Sequence, residues 1–158
     1  MNRVQVLSAL AALAVGGALA ASTAPAAAYT NVDVSFAVKN NDGSASMIRT
    51  SSLPSGVSGL PNPAKSVPPG GTDPSSGFAT FSATYPGAGR SVSVSLTYAN
   101  ALDQSSACTY IIKVTENSTT SFTLHFDTSD STRCPVPGDK SNSNGQFTDQ
   151  TYLLNWQT

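Results

Sequence analysis

Apolar residues recur along this chain with a period of two, the spacing of a half-buried β-strand. Val32, Val34, Phe36 and Val38 alternate with Asp33, Ser35, Ala37 and Lys39, which predicts a strand with four apolar side chains on one face. Asn40-Asn41-Asp42-Gly43 ends it. Asp-Gly is a strong hairpin signal because both residues accept a positive φ, so a short return strand is expected over 44–50. The alternation resumes over 78–85, with Ala79, Phe81, Ala83 and Tyr85 on one face, and Pro86-Gly87-Ala88-Gly89 turns the chain. The cleanest segment is 91–98, where Val92, Val94, Leu96 and Tyr98 face inward and Ser91, Ser93, Ser95 and Thr97 form an outward row of hydroxyls. Cys108, Tyr110, Ile112 and Val114 share the inner face of the next strand. Glu116-Asn117-Ser118-Thr119 reads as the turn into 121–127, where Phe122, Leu124 and Phe126 point in and His125 points out. Gln146–Trp156 closes the series, with Tyr152, Leu154 and Trp156 on one parity.

Two long stretches interrupt this pattern. Residues 51–77 hold six prolines and five glycines, and 128–145 carries Cys134, Pro135 and Pro137. Proline removes a ladder donor, so both segments are expected as loops. About seven strands and no helical periodicity in the body of the chain predict an all-β fold. The expected architecture is an antiparallel two-sheet β-sandwich with immunoglobulin-like layering, with a small closed barrel as the alternative. The last strand is expected near the first, tying both termini to the sheet.

The first 28 residues change the picture of where the chain goes. Arg3 precedes a run from Val4 to Ala21 that is almost wholly apolar, and Ala26-x-Ala28 supplies small residues at the positions that precede a signal cleavage. Residues 1–28 are therefore expected to be a secretion signal peptide and 29–158 a single β-sandwich domain. The expected location is extracytoplasmic, either secreted or periplasmic, with no transmembrane helix after cleavage. An oxidising compartment makes the two cysteines, Cys108 and Cys134, the two halves of one disulfide. They fall at the open ends of the predicted 108–127 hairpin, where such a link is geometrically easy. Closing that loop removes roughly 3.5 kcal/mol of unfolded-chain entropy.

Composition narrows the chemistry. Residues 29–158 contain 22 Ser and 16 Thr, one Glu, and seven basic against nine acidic residues, a net charge of −2. No cluster of Lys or Arg is long enough to track a phosphate backbone, so nucleic acid is not an expected partner. One histidine and two cysteines exclude multi-histidine and four-cysteine metal centres. A serine hydrolase would need His125 as its base, oriented by Asp127 two residues along the same strand, and the chain has no G-x-S-x-G elbow. Asp127, Asp130, Asp139 and Asp149 cluster in the last third and are the candidates for a glycosidase carboxylate pair. Asp127, Asp130, Asp139, Asn142 and Asn144 are weak calcium candidates, because their spacing departs from the D-x-[DN]-x-[DN]-G loop. No other cofactor is expected. Asn117-Ser118-Thr119 matches the N-glycosylation acceptor pattern.

Aromatic residues offer the better route to function. Tyr85, Tyr98, Tyr152 and Trp156 are the candidate binding residues, since an exposed ring can stack on a sugar or enter a membrane interface. Most of them share parity with core positions. The expectation is an exported, non-enzymatic binding or interaction protein whose partner is a protein, a polysaccharide or a membrane surface. Loops 51–77 and 128–145 are its expected contact surface. A carbohydrate-binding module and a small lipid-binding or pore-forming protein are the alternatives, with a glycoside hydrolase using the loop aspartates ranked below them.

Overall fold

The computed structural model describes residues 29–157, so the expected signal segment 1–28 lies outside the described residues. Ten strands form: β1 (Asn31–Asn40), β2 (Met47–Arg49), β3 (Val57–Ser58), β4 (Thr72–Asp73), β5 (Ala79–Thr84), β6 (Arg90–Asn100), β7 (Ala107–Ser118), β8 (Ser121–Thr128), β9 (Lys140–Asn142) and β10 (Gln146–Trp156). They make two five-stranded sheets. One runs β10-β1-β5-β3, with β4 continuing along β1 beyond β5, and the other runs β2-β6-β7-β8-β9. The two sheets form a sandwich. Val32, Val34, Phe36 and Val38 of β1 meet Leu96, Tyr98, Ile112, Val114 and Leu124 of the other sheet in one buried core. Each such side chain contributes about 1.5–3 kcal/mol when removed from water. The hydroxyl row on β6 is on the outer face as expected: Ser91 bonds Thr115 across the strands at 2.8 Å, and Thr97 bonds Thr109 at 3.0 Å.

Several local expectations are corrected. There are ten strands rather than seven, because β3, β4 and β9 are pieces of only two or three residues hidden in what reads as loop. The 40–50 hairpin does not form. Neither Asp42 nor Gly43 has a positive φ, so the tight primed turn that Asp-Gly favours is absent. Asp42 instead accepts hydrogen bonds from the Ser44 and Ala45 amides on Oδ1, and the Asn40 amide group donates to the Ala45 and Val67 carbonyls. These bonds steer the chain out of the first sheet, and β2 pairs with β6 in the second. The turn expected at 116–119 lies later: β7 runs on to Ser118 and only Thr119 and Thr120 separate it from β8. Asn117 is exposed at this strand end, its side chain donating to Thr123 Oγ1 at 2.8 Å.

The last strand does lie beside the first, but parallel to it, so the sandwich is not wholly antiparallel. The reason is where β10 begins. Gly145 precedes it with a φ of +68°, and a Cβ there would sit 3.1 Å from Val32, 3.2 Å from Tyr85 and 3.4 Å from Phe122. The chain thus enters at the Val32 end of β1 and must run the same way. Opposite Ser35 the two strands lose register: Val34 pairs with Phe147 and Phe36 with Tyr152, and the exposed residues 148–151 form a bulge.

The disulfide is formed between Cys108, at the start of β7, and Cys134, with a Cα–Cα distance of 6.3 Å. Residues flanking Cys134 hold the free edge of β10, since the Asn155 amide donates to the Pro135 carbonyl and the Gln157 amide to the Arg133 carbonyl. The cross-link therefore fastens the final strand of one sheet to the second strand pair of the other.

Candidate binding cleft

The proline-rich segment 51–77 is ordered because both sheets hold it. Val57 and Ser58 pair with Phe81 and Thr80, Thr72 and Asp73 pair with Lys39 and Val38, and Val67 bridges Met47. Val57, Leu60 and Val67 bury their side chains in the core. Close approach of the segment to β5 depends on Gly56, whose φ is +80° and whose Cβ would lie 2.5 Å from the Ser82 carbonyl. Between these anchors the segment encloses a half-open cleft of about 480 Å³, walled by Leu60, Pro61, Ser66, Pro68, Pro74 and Ser75 among others. Sites for small molecules span roughly 300–1,000 Å³.

Asp73 contributes to the lining of this cleft although only 3% of its surface is exposed. The Tyr98 hydroxyl donates to its Oδ2 at 2.6 Å. Arg49, beside Tyr98 in the β2–β6 pairing, is also buried. Its Nη1 donates to the Ser51 carbonyl at 3.2 Å and its Nη2 to the Pro61 carbonyl at 2.6 Å, while its Nε has no partner. Burial pushes the Asp73 carboxyl above the usual carboxylate range, an effect that the Tyr98 hydrogen bond and the Arg49 charge only partly offset. Burial and the adjoining carboxylate together push the Tyr98 phenol far up, so it remains a donor. The cleft therefore offers an acceptor at Asp73, hydroxyls along its walls and the rings of Pro61 and Pro68.

The four aromatic candidates are not an exposed binding face. Tyr98, Tyr152 and Trp156 are core residues. Tyr152 stacks near Phe126 with ring centroids 5.3 Å apart, and the Trp156 indole is among the largest fully buried side chains. Tyr98 and Trp156 so enclosed leave no ring face to stack on a ligand, and Tyr152 reaches only the lining of a cleft beside β10. Tyr85 is half-buried, packs 4.8 Å from Phe122 and donates its hydroxyl to the Asn144 carbonyl. The exposed aromatic beside a loop is instead Phe78, 53% exposed, at the end of the 51–77 segment. Its position before β5, where the alternation places it on the outer face, is the signal that marks it.

The acidic and amide candidates serve as turn residues. Asp127 accepts from the Thr128 amide, and Asp130 from the Thr132 and Arg133 amides. Asn142 accepts from the Asn144 and Gly145 amides, and Asn144 from the Gln146 amide. Among the described residues, no three His, Cys, Asp or Glu side chains come together in a group that could hold a metal ion. His125 does find a carboxylate, but it is Asp139 at 2.7 Å rather than Asp127, and both partners are about half exposed. Asn142, Asn144, Asp149 and Tyr152 line a second open cleft of about 490 Å³ beside the β10 bulge, whose amide groups are largely consumed by the turn.

Sequence reasoning pointed to the 51–77 segment but missed Asp73 and Arg49. Each is a single charge in a polar loop or short strand, and nothing in its neighbours announces burial. Comparison with protein families, with curated proteins and with solved structures finds no match for this chain.

Proposed function

We propose that this is an exported binding protein that takes its ligand in the cleft built by residues 51–77. The observation that carries the reading is Asp73: a carboxylate almost wholly removed from water, lining an accessible cleft, with only one of its oxygens engaged by the protein. Burying such a group costs several kcal/mol unless it is well partnered, so folds rarely keep one without use. The cleft is also rigidly supported, by pairing to β1, β2 and β5, which suits recognition rather than a tolerated insertion. A membrane-active role is less well supported, because of the exposed large apolar residues Tyr29, Phe78, Leu102 and Leu153 the strand register brings together only Leu153, opposite Ala37, and Phe78, next to Ala79 opposite Phe36. The test is a pull-down of the secreted protein against polysaccharides, lipid vesicles and envelope proteins, in parallel with Ser75→Trp, which fills the cleft from an exposed position. Binding is expected to be lost in Ser75→Trp, and binding that persists undiminished sinks the assignment.

A further inference from the structure

We infer that the ligand of this cleft is a neutral sugar unit, one hydroxyl of which donates to Asp73; the inference rests on the binding role proposed for the cleft. Asp73 Oδ2 is taken by the Tyr98 hydroxyl, whereas Oδ1 receives no hydrogen bond from any described residue. Oδ1 keeps enough exposure to accept a donor from the cleft, and ligands offer an ammonium or guanidinium, an acidic hydroxyl-bearing group, or a neutral amide or alcohol.

The charges around the cleft choose among them. Arg49 is buried close enough to Asp73 to act on its ionisation, and Lys65 lines the cleft. With Arg49 beside the one carboxylate and Lys65 on the wall, a cationic ligand would meet more like charge than opposite charge. An anionic ligand would have to set its own charge against the Asp73 carboxylate at the one acceptor that needs a donor. A neutral amide or alcohol satisfies Oδ1 without either penalty, and the hydroxyl-rich walls favour the alcohol.

The walls fit the remainder of a sugar. Ser66, Thr72, Ser75 and Ser76 bring hydroxyls that both donate and accept, as a ring of sugar hydroxyls requires. Pro61 and Pro68 offer apolar surfaces to the C–H faces of a pyranose, and Phe78, two residues beyond Ser76, stands exposed for a neighbouring unit. A free oligosaccharide and the end of a polysaccharide chain present the same chemistry.

The experiment is an amide-resolved NMR titration of the secreted protein with maltotriose, cellotriose, mannotriose and chitotriose. A lysine tetrapeptide and an oligogalacturonate are the cationic and anionic comparisons, and the insoluble polymers of the same neutral sugars are tested by depletion. At least one neutral trisaccharide is expected to shift the amides of Leu60, Ser66, Val67, Ser75 and Ser76. Asp73→Asn should weaken it at least tenfold with the amide spectrum otherwise retained, and Ser75→Trp should abolish it even where Asp73→Asn fails to fold. Tighter capture by a polymer than by its trisaccharide assigns the polysaccharide source, and equal capture the free sugar. Shifts at these amides with the peptide or the oligogalacturonate but with no neutral sugar overturn the sugar inference and leave the binding cleft standing. Full affinity in a folded Asp73→Asn overturns it too. If no probe moves these amides, both readings fall together.

Discussion

The Tyr98 hydroxyl donates to the Asp73 carboxylate at 2.6 Å, and this bond joins β6 of one sheet to β4 of the other. A second such bond runs from the Tyr110 hydroxyl of β7 to the Asn155 carbonyl of β10 at 2.7 Å. Tyr98→Phe keeps the ring but leaves a buried carboxylate with one partner fewer, which costs about 1–3 kcal/mol. Chemical denaturation should show this as a lower midpoint with an unchanged slope; a variant as stable as the parent would mean that the bond contributes nothing net.

Asp73 also predicts a pH dependence. Its folded pKa is raised, chiefly by burial, above the ordinary value of 3.8. The folded state therefore binds more protons than the unfolded state between those two values, and this contribution to stability is full below the ordinary value and is lost as pH rises through the folded one. Asp103 and Asp130 act in the opposite sense. The Ser105 hydroxyl and the Arg133 amide respectively hold their pKa values down, so their contribution is lost as pH falls. The difference in melting temperature between the parent and Asp73→Asn isolates the first effect. That difference should move in favour of Asp73→Asn as pH rises from about 4 upward, and a pH-independent difference would contradict the raised pKa.

Reduction of Cys108–Cys134 opens a loop with a sequence separation of 26 residues and releases the edge of β10 held by Arg133 and Pro135. Stability should fall by roughly 3 kcal/mol or more. The oxidised protein should be lighter than the reduced form by two hydrogen atoms. Retention of the full melting temperature in reducing agent would show that the staple is dispensable.

Gly145→Ala places a methyl between Val32, Tyr85 and Phe122 at a left-handed φ. Overpacking and backbone strain together should destabilise by about 2–4 kcal/mol. Because the residue fixes where β10 enters the sheet, hydrogen exchange should quicken first in β10, and uniform loosening instead would argue against that role.

His125→Ala removes an exposed pair with Asp139. Exposed ion pairs are worth about 0–1 kcal/mol, so the melting temperature should barely change and ligand capture by the 51–77 cleft should be unaffected. A large loss of either would assign His125 a task that its surroundings do not explain.

The sequence by itself determined the strands whose alternation is long enough to separate a core face from a wet one. Val92, Val94, Leu96 and Tyr98 against Ser91, Ser93, Ser95 and Thr97 is such a case, because a period of two decides burial without reference to any partner strand. It also determined the cysteine pairing, since two cysteines allow only one intrachain link. What only the tertiary structure decided are the features set by contacts distant in the chain. The pieces β3, β4 and β9 exist because longer strands offer them free backbone groups, not because two or three residues carry a pattern. Asp42-Gly43 turns away from its hairpin because Asn40 and Asp42 find other backbone groups to hold, and β10 runs parallel to β1 because Gly145 enters the sheet at the Val32 end. Arg49 and Asp73 read as ordinary polar positions until residues 47–49 and 72–73 are placed on opposite sheets. Their burial is a property of the meeting of those sheets, and so is the cleft.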